Sequence, residues 1–212
     1  AQAGRAGGGA PTYSLATAYT EKARTADALG DRQSTIVLCS QAVRLWRRLV
    51  EEQGRGELAH DLAAAYHSLG RAAAVRGCFD NAALTGYDAA IEIWERLVNQ
   101  EGRHDLAPDL ASAYTNKAAL AYARGDHRGA VGLYDRAMAI YERLLPQEKE
   151  LAGDAAAARA LRAVALTPID RARARAEGRT ALATLRAEVA RTGRPGLRKA
   201  LETVSKHLKE VV

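Results

Sequence analysis

Little in this 212-residue chain invites a metal site, a disulfide framework or a sheet. It holds two cysteines, Cys39 and Cys78, neither in a C-x-x-C pair. Metal and disulfide frameworks need more ligands than that, so reduced thiols in a cytoplasmic protein are expected. Proline occurs five times, and aromatic residues make up 5% of the chain. No apolar stretch approaches the length that spans a bilayer. The opening, Ala1 to Ala10, is glycine-rich and lacks the apolar core of a signal peptide. The chain also starts without methionine, which reads as a fragment or processed product with room for repeats upstream. No strand-like alternation is found. What is abundant is alanine and other strong helix formers, spread through every segment.

Charge is unevenly placed. Residues 148–212 carry 14 Lys and Arg against 8 Asp and Glu, leaving the 17 basic and 17 acidic groups of residues 1–147 in balance. The excess of arginine over lysine fits a GC-rich bacterial genome as well as it fits a binding role.

Three tracts nearly repeat: Leu15-Ala-Thr-Ala-Tyr19, Leu62-Ala-Ala-Ala-Tyr66 and Leu110-Ala-Ser-Ala-Tyr114. Eleven residues beyond each tyrosine stands a glycine, Gly30, Gly77 or Gly125. Each copy then reaches Ala42-x-x-x-Trp46, Ala90-x-x-x-Trp94 or Ala137-x-x-x-Tyr141. The tyrosines are 47 and 48 residues apart. A fixed period of this size marks stacked supersecondary units that offer an extended binding surface. Apolar spacing of three and four, as in Leu62, Tyr66, Leu69 and Ala73, makes each unit a helix pair. The pairs are expected over 13–28 and 32–53, 58–76 and 80–99, and 109–124 and 127–145. Each turn is built on glycine: Gly30-Asp31, Gly77-Cys78 and Gly125-Asp126. The extra residue in the second unit falls before Tyr87, as a turn insertion or a local bulge.

The run Tyr114, Asn116, Lys117, Ala118, Ala121, Gly125, Asp126, Ala130, Tyr134 and Ala137 resembles a tetratricopeptide repeat. Tyr66, Gly70, Gly77, Ala83, Tyr87 and Ala90 repeat it. So do Tyr19, Ala23, Gly30 and Ala42, with Thr35 and Cys39 departing from the usual alanine and aromatic. The period exceeds the family's 34 residues, which points to the long-repeat variety that includes kinesin light chains. The resemblance implies an all-α, right-handed α-α superhelix of three long helix-turn-helix repeats over residues 12–53, 54–101 and 102–147. Residues 1–11 are expected as a flexible linker and 148–212 as a basic helical cap. Ala23, Gly70 and Ala118 are expected where paired helices cross, and Trp46, Trp94 and Tyr141 as core fillers.

The resemblance further implies a concave groove lined by positions around each repeat tyrosine. These are Thr20, Glu21, Arg24 and Asp27, then His67, Ser68 and Arg71, then Thr115, Asn116 and Tyr122. Asn116 resembles the asparagine with which family members hold a peptide backbone, and an amide both donates and accepts. Arg24, His67 and Arg71 suit a carboxylate. The family's Lys-Asn-Asn-Lys-Arg clamp for chaperone tails is largely unmatched, since Thr20, Ser68 and Ser112 stand at its places.

In the tail, Thr167-Pro168-Ile169-Asp170 reads as a helix start with Thr167 as cap and Pro168 first in the helix. Leu197, Leu201, Val204, Leu208 and Val211 form a seam that suits a helix laid on the last repeat. Arg171, Arg175 and Arg179 make a basic stripe, interrupted by Glu177 and Glu188 and without aromatics for base stacking. No catalytic, cofactor or metal constellation stands out, since His60-Asp61, His104-Asp105 and Asp126-His127 are adjacent pairs that read as exposed helix caps. The expected role is a non-enzymatic adaptor or scaffold binding a protein or peptide, with self-association through exposed repeat ends also open. The alternatives are a sensor domain of a larger bacterial protein and a nucleic-acid-binding solenoid.

Overall fold

A computed structural model describes residues 9–74 and 81–208. Among these residues there is no strand, and no helix is long and apolar enough to cross a membrane. The expected turn at Gly77-Cys78, the second unit's extra residue if it falls in that turn, and Val211 lie outside them. The chain divides into two compact units, Ala1–Leu106 and Ala107–Val212.

The first unit holds two helix pairs: α1 (Gly9–Ala28) with α2 (Arg32–Arg47), and α3 (Ala59–Ala74) with α4 (Asn81–Asn99). Helix α1 begins at Gly9, inside the stretch expected as linker. Beyond Arg47 the second helix widens into a π-turn over Arg48–Glu52, where the Gln53 N–H reaches back to the Arg48 carbonyl. The α1–α2 turn shows why glycine followed by aspartate stands there. Gly30 has φ of +75°, which a side chain resists, and the Asp31 side chain then accepts from the Ser34 N–H at 3.1 Å.

Helices α3 and α4 cross at closest approach through two glycines. A Cβ on Gly86 would sit 2.8 Å from the Tyr66 carbonyl oxygen, and one on Gly70 would sit 2.9 Å from the Tyr87 ring. The sequence pointed to Gly70 but not to Gly86. Trp46 and Trp94 are buried as expected, and so are the small residues Ala23, Ala42, Ala83 and Ala90. Across α2 and α3, Ala42, Val43, Trp46 and Leu49 form one apolar cluster with Leu58, Leu62 and Ala65.

The second unit contains α5 (Ala107–Ala123), α6 (His127–Leu144), α7 (Ala152–Leu166), α8 (Arg171–Thr192) and α9 (Pro195–Leu208). The α5–α6 turn repeats the first: Gly125 has φ of +84° and Asp126 accepts from the Gly129 N–H at 2.8 Å. Helices α7 and α8 form a further pair, rich in buried alanine. The seam of α9 packs onto this pair, with Leu197, Val204 and Leu208 joining Ala160, Val164 and Leu185 in one cluster. The last helix therefore seats mainly on α7 and α8 rather than directly on α5 and α6.

The tail's helix start also differs from expectation. Thr167 ends α7, its hydroxyl donating to the Ala163 carbonyl, and Asp170 is the cap of α8, accepting from the Arg173 N–H at 2.9 Å. Pro168 and Ile169 form the turn between them. An aspartate three residues on competes better than threonine because its charge favours the positive end of the helix.

Candidate functional site

In the first unit, α1, α2 and α3 enclose a groove of about 230 Å³. Its floor is small and apolar: Ala23, Ala42 and Ala65, with the Cys39 thiol and Thr35. Thr20, Arg24, Asp27, Ser68 and Arg71 line it as well, so five of the sequence-derived candidates meet in one place. Arg71 on α3 pairs with Asp27 on α1 at 2.6 Å, and this ion pair ties the two helices together. Arg24 pairs with Glu21 one turn earlier on α1, both well exposed. The site thus carries paired charge above an alanine floor. Burial, reinforced by Asp27, pushes the Cys39 thiol up to about 11, so it remains protonated and is a packing group, not a nucleophile.

The residue just after each repeat tyrosine behaves unlike the others. The Thr20 hydroxyl accepts the Trp46 indole N–H at 3.1 Å while donating to the Ala16 carbonyl. Thr115 donates to the Ala111 carbonyl and hydrogen-bonds the buried Tyr141. His67 holds the same place in the second pair, with its ring 5.6 Å from Trp94 and 5.8 Å from Tyr87. Burial, with Arg71 adding to it, depresses His67 to about 4, so the imidazole is neutral near pH 7. It cannot then supply the positive charge expected of it toward a carboxylate. All three side chains brace the large aromatic of their own helix pair.

Trp94 turns its indole N–H to His60 Nδ1 at 3.1 Å. His60 is therefore no exposed cap, although His104 is exposed as expected. Adjacent His-Asp pairs gave no signal of this difference, because the partner tryptophan lies 34 residues away. In the second unit Asn116 is half-buried on α5. Tyr122 lies at the end of α5, its ring 5.2 Å from His127 and 6.2 Å from His207. On α8, outside the stripe of Arg171, Arg175 and Arg179, Arg173 pairs with Glu177 and Arg191 with Glu188.

Helix pairs joined by Gly-Asp turns, with aromatics anchored to the first helix, define a helical-repeat protein. Residues 110–148, which hold nearly all of α5 and α6, match the family model described as Tetratricopeptide repeat. Comparison with curated proteins gives no match.

Proposed function

We propose that the chain is a protein-interaction module, a scaffold or adaptor, that binds a peptide or protein segment at the groove of α1, α2 and α3. Tetratricopeptide repeats generally mediate protein–protein contacts, and the match over residues 110–148 supports that class. The observation that carries the site is the groove itself: a floor of Ala23, Ala42 and Ala65 under a rim of Arg24, Asp27, Ser68 and Arg71. The floor accepts an apolar side chain. The rim offers guanidinium donors and hydroxyls to the carbonyls or carboxylates beside it.

In this reading residues 12–147 are three long repeats of a right-handed superhelix and residues 148–212 cap them. Asn116, in the second unit, is read as holding peptide backbone there. Nucleic acid is the weaker reading, because Glu177, Glu188 and Glu202 interrupt the basic helices and no aromatic platform accompanies them.

The test is a pull-down from the source cells followed by titration of the captured partner. Arg24→Ala with Arg71→Ala should weaken the partner by about tenfold or more, with helix content unchanged. Binding that survives this double change but is lost on changing the outer faces of α2 and α4 would move the site elsewhere.

A further inference from the structure

The groove of α1, α2 and α3 lies where the α3–α4 and α5–α6 pairs each hold a buried tyrosine. We propose that it takes a phenyl or phenol side chain from the partner, seated in the place of that missing ring. This rests on the reading of the groove as the interaction site and names the group it recognises.

The repeat register carries the assignment. Cys39 stands nine residues after Gly30, and Tyr134 stands nine after Gly125. Tyr87 holds the corresponding place in the second copy, one residue further from its glycine. Both tyrosines are deeply buried, Tyr87 at 2% and Tyr134 at 1% exposure. In the second unit Tyr134 forms one cluster with Ala118 of α5, Ala130 of α6 and Ala165 of α7. Those elements, a helix pair and the first helix of the next, are the counterparts of α1, α2 and α3 in the first unit. By register Ala118 corresponds to Ala23 and Ala130 to Thr35. Ala23 and Thr35, with Ala42, Ala65 and Cys39, line the groove of about 230 Å³, and none of its lining residues is aromatic. A thiol is much shorter than a phenol, so the small residues that make room for a ring are kept while the ring is not.

The polar groups at depth are already matched. Thr35 donates its hydroxyl to the Asp31 carbonyl at 2.7 Å, and Thr20 is engaged by the Ala16 carbonyl and the Trp46 N–H. The interior therefore asks no hydrogen bond of its occupant, which suits a ring. Arg24 and Arg71 stand at the rim, and a guanidinium favours the face of an aromatic ring. An aliphatic side chain would meet the same floor without that second attraction.

The experiment titrates the intact chain with N-acetyl-phenylalaninamide, N-acetyl-tyrosinamide and N-acetyl-leucinamide, following the methyl resonances of Ala23, Ala42 and Ala65 by 1H–13C NMR. Saturable ring-current shifts are expected with the two aromatic amides, with affinity about fivefold above that of the leucine amide. Cys39→Tyr restores the ring of the other pairs. It should fold with an undiminished melting temperature and lose the response to all three amides, whereas Cys39→Ala, which leaves the space open, should keep it. No saturable shift, leucine amide binding as tightly as the aromatic ones, or an unchanged response in the Cys39→Tyr chain would overturn the proposal. So would loss of folding in that chain, because the space would then not be ring-sized. If the captured partner still depended on Arg24 and Arg71 after such a result, the groove would stand as the interaction site and only its preference for a ring would fall.

Discussion

The α3–α4 pair and the α7–α8 pair are both closely packed, yet they set their helix separation by different means. In α3–α4 two glycines, Gly70 and Gly86, let the backbones meet, and Tyr87 and Trp94 fill the space on either side. In α7–α8 alanines take that place, and a buried charge fixes the register. Arg162 on α7 is 6% exposed and reaches Asp135 on α6 at 2.5 Å and Glu177 on α8. Burial alone would raise the Glu177 carboxyl, but hydrogen bonds from Arg173 and Arg162 hold it below its ordinary value. The first device tolerates no added atom. The second tolerates changes of shape but depends on charge, and it joins three helices where the first joins two.

Gly86→Ala is the strongest way to break this comparison. Its new methyl would meet the Tyr66 carbonyl oxygen and the Gly70 backbone, neither of which can swing away. A loss of about 3 kcal/mol is expected by denaturant unfolding. A loss below about 1 kcal/mol would show that the crossing is looser than described.

Acid sharpens the contrast. His67 is depressed to about 4 in the folded chain against an ordinary 6.5, so the unfolded chain binds its proton first. Stability from this residue is complete above pH 6.5 and is lost as pH falls toward 4. The loss should amount to about 2.5 kcal/mol at pH 4.5. The chain carrying His67→Gln should lack this portion, and equal pH slopes in the two chains would contradict the buried, neutral imidazole.

Arg162→Met keeps most of the side chain's volume and removes its charge. Because Asp135 is half exposed and able to hydrate, a loss of about 1 kcal/mol is expected rather than collapse. The cost should shrink at high salt, and a salt-independent cost would assign Arg162 a packing role alone. The smallest effect is expected from Thr20→Val, about 1 kcal/mol or less, through the orphaned Trp46 N–H. Tryptophan fluorescence should report the change at Trp46, and an unaltered spectrum would count against the bond.

The repeat tyrosines, the Gly-Asp turns at Gly30 and Gly125 and the apolar seam of α9 could all be read from spacing. Helix ends are local events: a few backbone groups need partners, and a glycine or aspartate nearby supplies them. That is why helix boundaries came within a few residues, and why the main lapse, Thr167 for Asp170, was a choice between two caps three residues apart. The grouping of Thr20, Arg24, Asp27, Ser68 and Arg71 was legible too, since it follows from register on two neighbouring helices.

Spacing did not reveal which polar groups would turn inward. Thr20, His67 and Thr115 share one register position, and all three were expected to face a ligand. Their direction is set by an aromatic on the partner helix, 26 residues away in the case of Thr20 and Trp46. Gly86 and Arg162 escaped notice, and His60 was expected as an exposed cap, for the same reason, as each is defined by a backbone, a carboxylate or an indole on another helix. Sequence periodicity thus determined the helices, their pairing and their turns. Tertiary structure alone decided burial, protonation and the meeting of Tyr122, His127 and His207, because these depend on distances between helices that no single helix encodes.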